Sequence, residues 1–62
     1  MIQLTKAQVD NYQGELLKQP QDIEYMHDML LIPYKVTNGG DVIYQEFYGD
    51  RDVYFLLEAG DE

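Results

Sequence analysis

Few residues in this sequence could perform chemistry. The one histidine, His27, precedes Asp28, and in an enzyme such a pair could be a general base and its orienting carboxylate. Neighbouring residues on a helix or strand do not face each other, so adjacency alone builds no catalytic pair. The chain has no serine and no cysteine, and its threonines, Thr5 and Thr37, are accounted for as a helix cap and a strand end. We therefore predict that the protein is not an enzyme.

The sequence also matches known metal-binding and phosphate-binding motifs poorly. Residues 50–52 (Asp-Arg-Asp) begin like a calcium loop, but Val53 and Phe55 stand where further oxygen ligands are needed. A transition-metal site lacks cysteines and a second histidine. Residues 39–40 (Gly-Gly) lack the Lys-Ser/Thr of a phosphate-binding loop. We expect no metal and no cofactor.

The charge limits the kinds of partner. Twelve acidic residues face four basic ones, which gives a formal net charge of −8 on 62 residues. This balance argues against direct binding of nucleic acid or of anionic membranes, both of which need cations, and it favours basic protein surfaces.

The length and composition favour a folded domain. A hydrophobic content of 45% is too high for a disordered acidic tail, and 62 residues allow one small domain, residues 1–62. The longest apolar run, residues 29–33, is too short to span a bilayer, and residues 1–5 lack a signal-peptide pattern. We expect a cytoplasmic location.

Thr5 predicts the start of a helix. Its hydroxyl can accept from the amide of Gln8 in a capping box, and Leu4 with Val9 forms the pair expected of a hydrophobic staple.

The apolar spacing from Val9 to Leu16 continues the helical pattern until Pro20 intervenes. It predicts a helix over residues 6–18, although Gly14 disfavours it by about 1 kcal/mol.

The remainder of the chain favours strands. Residues 21–29 fit either a short second helix or a loop that leads into a strand, because the run is too short for periodicity to decide. Residues 30–37, 42–48 and 53–58 are rich in branched and aromatic side chains, which is typical of strands. We therefore predict an α+β fold, in which an N-terminal helix, with or without a second one, packs on a three-stranded antiparallel β-meander.

Turn signals connect these strands. Residues 38–41 contain Asn-Gly, the strongest short hairpin signal, and residues 49–52 read as a second turn. Pro33 cannot donate a ladder hydrogen bond, so the first strand is either an edge or bulged there. Alternation then assigns Val42, Tyr44, Glu46 and Tyr48 to one face of the second strand and Ile43 and Phe47 to the other.

The acidic C-terminal third is the unusual signal. Seven carboxylates and one cation fall between residues 41 and 62. Strand residues two apart are separated by about 6.6 Å, comparable with successive phosphates, so carboxylates could imitate a nucleic acid. Plain solubility explains the acidity equally well.

The favoured hypothesis is an acidic inhibitor that mimics phosphates and blocks the basic site of a nuclease, a CRISPR or restriction effector, a repair enzyme or a transcription factor. In size, charge and α+β make-up the chain resembles the small acidic inhibitors that phages encode. The resemblance includes no shared motif, so it assigns a role to no particular residue. It implies a phage or mobile-element origin and action in the host cytoplasm. Tyrosines would anchor the contact. The predicted binding residues are Asp41, Tyr44, Glu46, Tyr48, Asp50, Asp52, Tyr54 and Glu58.

The alternative hypothesis is an interaction module of another class: an antitoxin, an adaptor or a regulatory homodimer. It would bind through an apolar strand edge at residues 30–34, by strand addition or dimer formation.

Overall fold

The computed structural model describes residues 1–48 and 52–57. All the strands pair antiparallel in one six-stranded sheet of order β1-β6-β5-β4-β2, and β3 pairs with the other half of the β4 edge that β2 occupies. The elements are β1 (Ile2–Leu4), α1 (Lys6–Asn11), β2 (Gly14–Leu16), β3 (Glu24–Met26), β4 (Met29–Thr37), β5 (Val42–Glu46) and β6 (Tyr54–Leu57).

The predicted α+β fold, a helix packed on a three-stranded meander, is wrong. The sheet has six strands rather than three, and the described residues contain no helix of seven or more residues. No helix in this part of the chain is long and apolar enough to cross a membrane.

The predicted start of the helix is confirmed. Thr5 Oγ1 accepts from the Gln8 amide at 3.2 Å, and the Gln8 side chain accepts from the Thr5 amide at 2.8 Å. Leu4 and Val9, the predicted staple pair, both lie in the hydrophobic core. The local capping signal therefore sets this end of α1.

The predicted extent of the helix over residues 6–18 is wrong, because Gly14 pairs with β4. A Cβ at Gly14 would lie 2.7 Å from Thr37 Cα and would collide with the Val36 carbonyl oxygen. The Asn38 amide donates to the Gln13 carbonyl at 2.9 Å, which continues this pairing. Glycine thus permits a close approach of two backbones, and the chain leaves α1 for the sheet.

Residues 21–29 form no second helix. They contain β3 and a two-residue turn to β4, in which His27 has φ 50° and Asp28 has φ 60°. Positive φ at both central residues is the geometry of a tight hairpin, which usually carries Asn-Gly. The loop-to-strand alternative is therefore the right one, with an additional strand.

Replacing this turn by the preferred sequence should stabilise the hairpin. His27→Asn with Asp28→Gly removes side chains that resist the left-handed region, and we expect a gain of about 1 kcal/mol, or about 4–8 °C in Tm. Thermal unfolding followed by circular dichroism measures the gain. An unchanged or lower Tm would contradict the turn geometry.

The three predicted strands correspond to β4, β5 and β6, with Glu58 outside the described residues. The register shifts between Pro33 and Lys35, so the predicted bulge is confirmed. The alternative, that this strand is an edge, is wrong, because β4 lies inside the sheet.

The β4–β5 connection is a hairpin at the predicted place with a different turn. Gly40, at φ 91°, takes the left-handed conformation, and its amide donates to the Thr37 carbonyl at 3.0 Å. The predicted turn over residues 49–52 lies largely outside the described residues.

The helix packs on one face of the sheet through Val9. Val9 of α1 is fully buried against side chains from β1, β5 and β6. Lys35 is also buried, and its Nζ donates to the Val9 carbonyl at 3.0 Å, which ties α1 to β4. The core on this face consists of Leu4, Val9, Ile43, Tyr54 and Leu56, with Tyr12 and Tyr34 packed against it.

Candidate protein-binding face

The candidate site is the sheet face opposite α1, which we call the open face. Residues paired across neighbouring strands lie on the same face, so the register defines its members. Three of its cross-strand rows are Glu15, Val36, Val42 and Leu57; Pro33, Tyr44, Phe55 and Gln3; and Glu24, Leu31 and Glu46.

The centre of the open face is apolar. Leu31 is fully buried and Tyr44 is 7% exposed, so both are packed within the monomer. Val36, Val42 and Phe55 are only half-buried. Partly exposed apolar side chains from two of the rows thus remain on the face opposite α1.

Carboxylates flank this apolar centre. Glu15 and Glu24 are exposed, Glu46 is half-buried, and none of the three forms an ion pair with a described residue. Glu24 and Glu46 lie on either side of Leu31, so their Cα atoms are about 9.6 Å apart at a strand spacing of about 4.8 Å. The open face therefore carries acidic groups around an apolar centre.

Burial and one of these carboxylates, Glu24, together raise the pKa of a tyrosine on the same face. Burial, and after it the negative charge of Glu24, raises the pKa of the Tyr44 hydroxyl above its usual value of 10.0. Glu24 on β3 and Tyr44 on β5 lie on the same face of the sheet, with β4 between them.

No described cation belongs to these three rows. Lys35 is buried on the helix-covered face, and Lys6 pairs with Asp10 on α1 at 3.1 Å. Lys18 is exposed in the segment between β2 and β3. The described members of the three rows include no lysine or arginine, so their charge is purely acidic.

A groove adjoins the open face at Glu46. The Tyr25 hydroxyl donates to Asp28 Oδ1 at 3.2 Å, and the residues Tyr25 and Tyr48 are 70% and 65% exposed. Carboxylates beside aromatic faces suit a lysine or arginine side chain. The groove has a volume of about 320 Å³ and is lined by Tyr25, Asp28, Met29, Leu30, Glu46 and Tyr48.

The predicted acidic residues do not form one cluster. Asp41 lies at the turn before β5, where its amide donates to Thr37 Oγ1 at 3.1 Å. Glu46 ends β5, about 17 Å away at strand spacing, with the exposed Asp52 near that end of the sheet. Asp50 and Glu58 lie outside the described residues.

The predicted tyrosines also differ in accessibility. Tyr54 is 2% exposed and its ring packs against Tyr34 with centroids 5.0 Å apart, whereas Tyr44 is buried on the open face. Tyr48 packs edge-on against Phe47 and keeps an exposed ring. Of the three predicted anchors, Tyr48 is the one that is exposed.

Sequence reasoning missed Glu15 and Glu24, which the register places on the open face. Both lie on strands that the sequence pattern did not predict. The available signal was Gly14, a poor residue inside a helix and a common one where two backbones approach closely.

The buried tyrosines predict a loss of stability in alkali. Burial is the main cause that raises the pKa of Tyr44 and Tyr54 in the folded protein, so folding favours the neutral phenols. This stabilisation is fully present below the unfolded pKa near 10.0 and is lost as the pH rises through the folded pKa. Guanidinium unfolding at increasing alkaline pH should show a shallower loss for Tyr44→Phe than for the unsubstituted chain, and an identical loss would contradict the prediction.

No family model matches the sequence, and the searches found no curated protein and no solved structure similar to it.

The described residues contain no group of three or more His, Asp or Glu side chains that could hold a metal ion. His27 is exposed at its turn, and Asp28 accepts from Tyr25.

Proposed function

We propose that the protein is a non-enzymatic binding domain that occupies the basic nucleic-acid-binding surface of another protein. The observation that supports this proposal is the open face, where Glu15, Glu24 and Glu46 lie without a described cation among them. Placing the acidic groups on a sheet fixes their spacing, which a disordered acidic tail would not do.

The charge supplies the mechanism. A chain of net charge −8 attracts basic surfaces over long range and speeds their association. Carboxylates then take the positions of phosphates, and the occupied site no longer binds its nucleic acid. Nucleases, restriction or CRISPR effectors, repair enzymes and transcription factors have such sites. A phage or mobile-element origin, with action in the host cytoplasm, belongs to this proposal.

Strand addition at residues 30–34 has less support, because β4 has β5 on one side and β2 and β3 on the other and is not an edge strand. The Gln19 side chain donates to the Pro33 carbonyl and the Leu17 amide to the Tyr34 carbonyl, both at 2.8 Å. An incoming strand would have to displace these contacts.

The test is capture from bacterial lysate on the immobilised chain, followed by elution with duplex DNA or RNA at constant ionic strength. The proposal expects retained proteins that bind nucleic acid, leave the chain when nucleic acid is added, and leave it as salt rises. Proteins that remain bound through both treatments would contradict phosphate mimicry.

A further inference from the structure

We propose that the open face docks a basic amphipathic segment of its partner, with apolar side chains at the centre of the contact and lysines or arginines around it. This inference rests on the proposed function and names the chemistry of the segment that is bound.

The apolar centre is the first argument. A purely electrostatic phosphate mimic needs only carboxylates, yet Val36, Val42 and Phe55 are left half-buried on this face. Burying such side chains against a partner is favourable, because it removes apolar surface from water. A partner that presented only charged groups would leave this surface exposed to solvent.

Charge complementarity is the second argument. Glu15 borders the row of the half-buried Val36 and Val42, and Glu24 and Glu46 lie on the same face in the row of the buried Leu31. A docked segment that covers the valines would therefore also meet carboxylates. The groove beside Glu46, with the exposed ring of Tyr48, has room for one cationic side chain.

A second copy of the chain fits this face poorly. In a twofold dimer the same patch lies on both subunits, so the carboxylates of the open face would meet each other. Two chains of net charge −8 also repel each other before contact. A basic segment of a different protein avoids both costs.

The experiment compares two synthetic peptides of equal length and charge on the full chain. One alternates lysine with valine and the other alternates lysine with glutamine. We expect the Lys-Val peptide to bind at least about tenfold more tightly, because its valines cover the apolar centre. Isothermal titration calorimetry at two salt concentrations measures both affinities.

Two variants test whether the preference for the Lys-Val peptide arises at the open face. Val42→Thr keeps the shape of a half-buried strand residue and should remove most of the preference for the Lys-Val peptide. Leu16→Thr, at a 64% exposed apolar residue that the register places on the other face, should keep it. Thermal unfolding confirms that both variants fold.

Each outcome separates the two proposals. Equal affinities with strong salt dependence would overturn the amphipathic segment and leave the electrostatic proposal standing. Absence of binding by either peptide would count against both. A preference that survives Val42→Thr and disappears in Leu16→Thr would overturn the assignment to the open face.

Discussion

Gly14→Ala should destabilise the protein by about 2–3 kcal/mol and lower its Tm by more than about 10 °C. The added Cβ would meet backbone atoms, the Val36 carbonyl oxygen and Thr37 Cα, which cannot rotate away as a side chain would. The strain is relieved only if β2 separates from β4.

The sign of this effect distinguishes the sheet from the helix expected over residues 6–18. In a helix, alanine in place of Gly14 would stabilise by about 1 kcal/mol. Gly39→Ala is the matched control, because its Cβ would meet only Thr37 Oγ1, at 3.9 Å, and its effect should stay within about 0.5 kcal/mol. Chemical unfolding of the three proteins gives the comparison, and a more stable Gly14→Ala variant would refute the β2–β4 pairing.

Reversing the charge of the open face should abolish most binding of basic ligands. Glu24→Lys with Glu46→Lys changes the net charge from −8 to −4, since each substitution adds two positive charges. We expect about a hundredfold loss of affinity for the Lys-Val peptide at low salt, and a weaker salt dependence of what remains.

A control distinguishes the effect of charge on the open face from the effect of the net charge of the chain. Asp10→Lys reverses one charge on α1, which packs on the other face, and is compared with the single variant Glu24→Lys. Both residues are exposed, so neither substitution buries a lysine. Affinity that falls equally in the two variants would show that net charge, and not the open face, governs binding.

The features that could be predicted from the sequence are those that depend on contacts between residues close together in the chain. The Thr5–Gln8 capping box could be predicted because both partners stand within four residues, and the three C-terminal strands followed from composition and turns. The bulge near Pro33 followed from its missing amide hydrogen.

The wrong predictions concern segments whose conformation is decided by contacts with residues far away in the sequence. The spacing of Val9 and Leu16 suits a helix, but Leu16 is 64% exposed and pairs with Lys35 across the sheet. The β3 strand has three residues, too few for a period, and its turn uses His27 and Asp28 in place of the usual Asn-Gly.

The candidate site was only partly predictable for the same reason. Alternation correctly grouped Val42, Tyr44 and Glu46 on one face, but it cannot show how deeply each side chain is buried. Tyr54 consequently looked like a partner anchor and lies in the core. Glu15 and Glu24 join the open face only through pairing with a distant strand.

The most direct test of the binding face is methyl NMR of the chain titrated with the Lys-Val peptide. We predict that the shifts concentrate on the methyl groups of Val36, Val42 and Leu57, on the open face. The methyl groups of Val9 and Ile43, under the helix, should change little. Shifts concentrated on Val9 and Ile43, with the open-face methyl groups unchanged, would contradict the account.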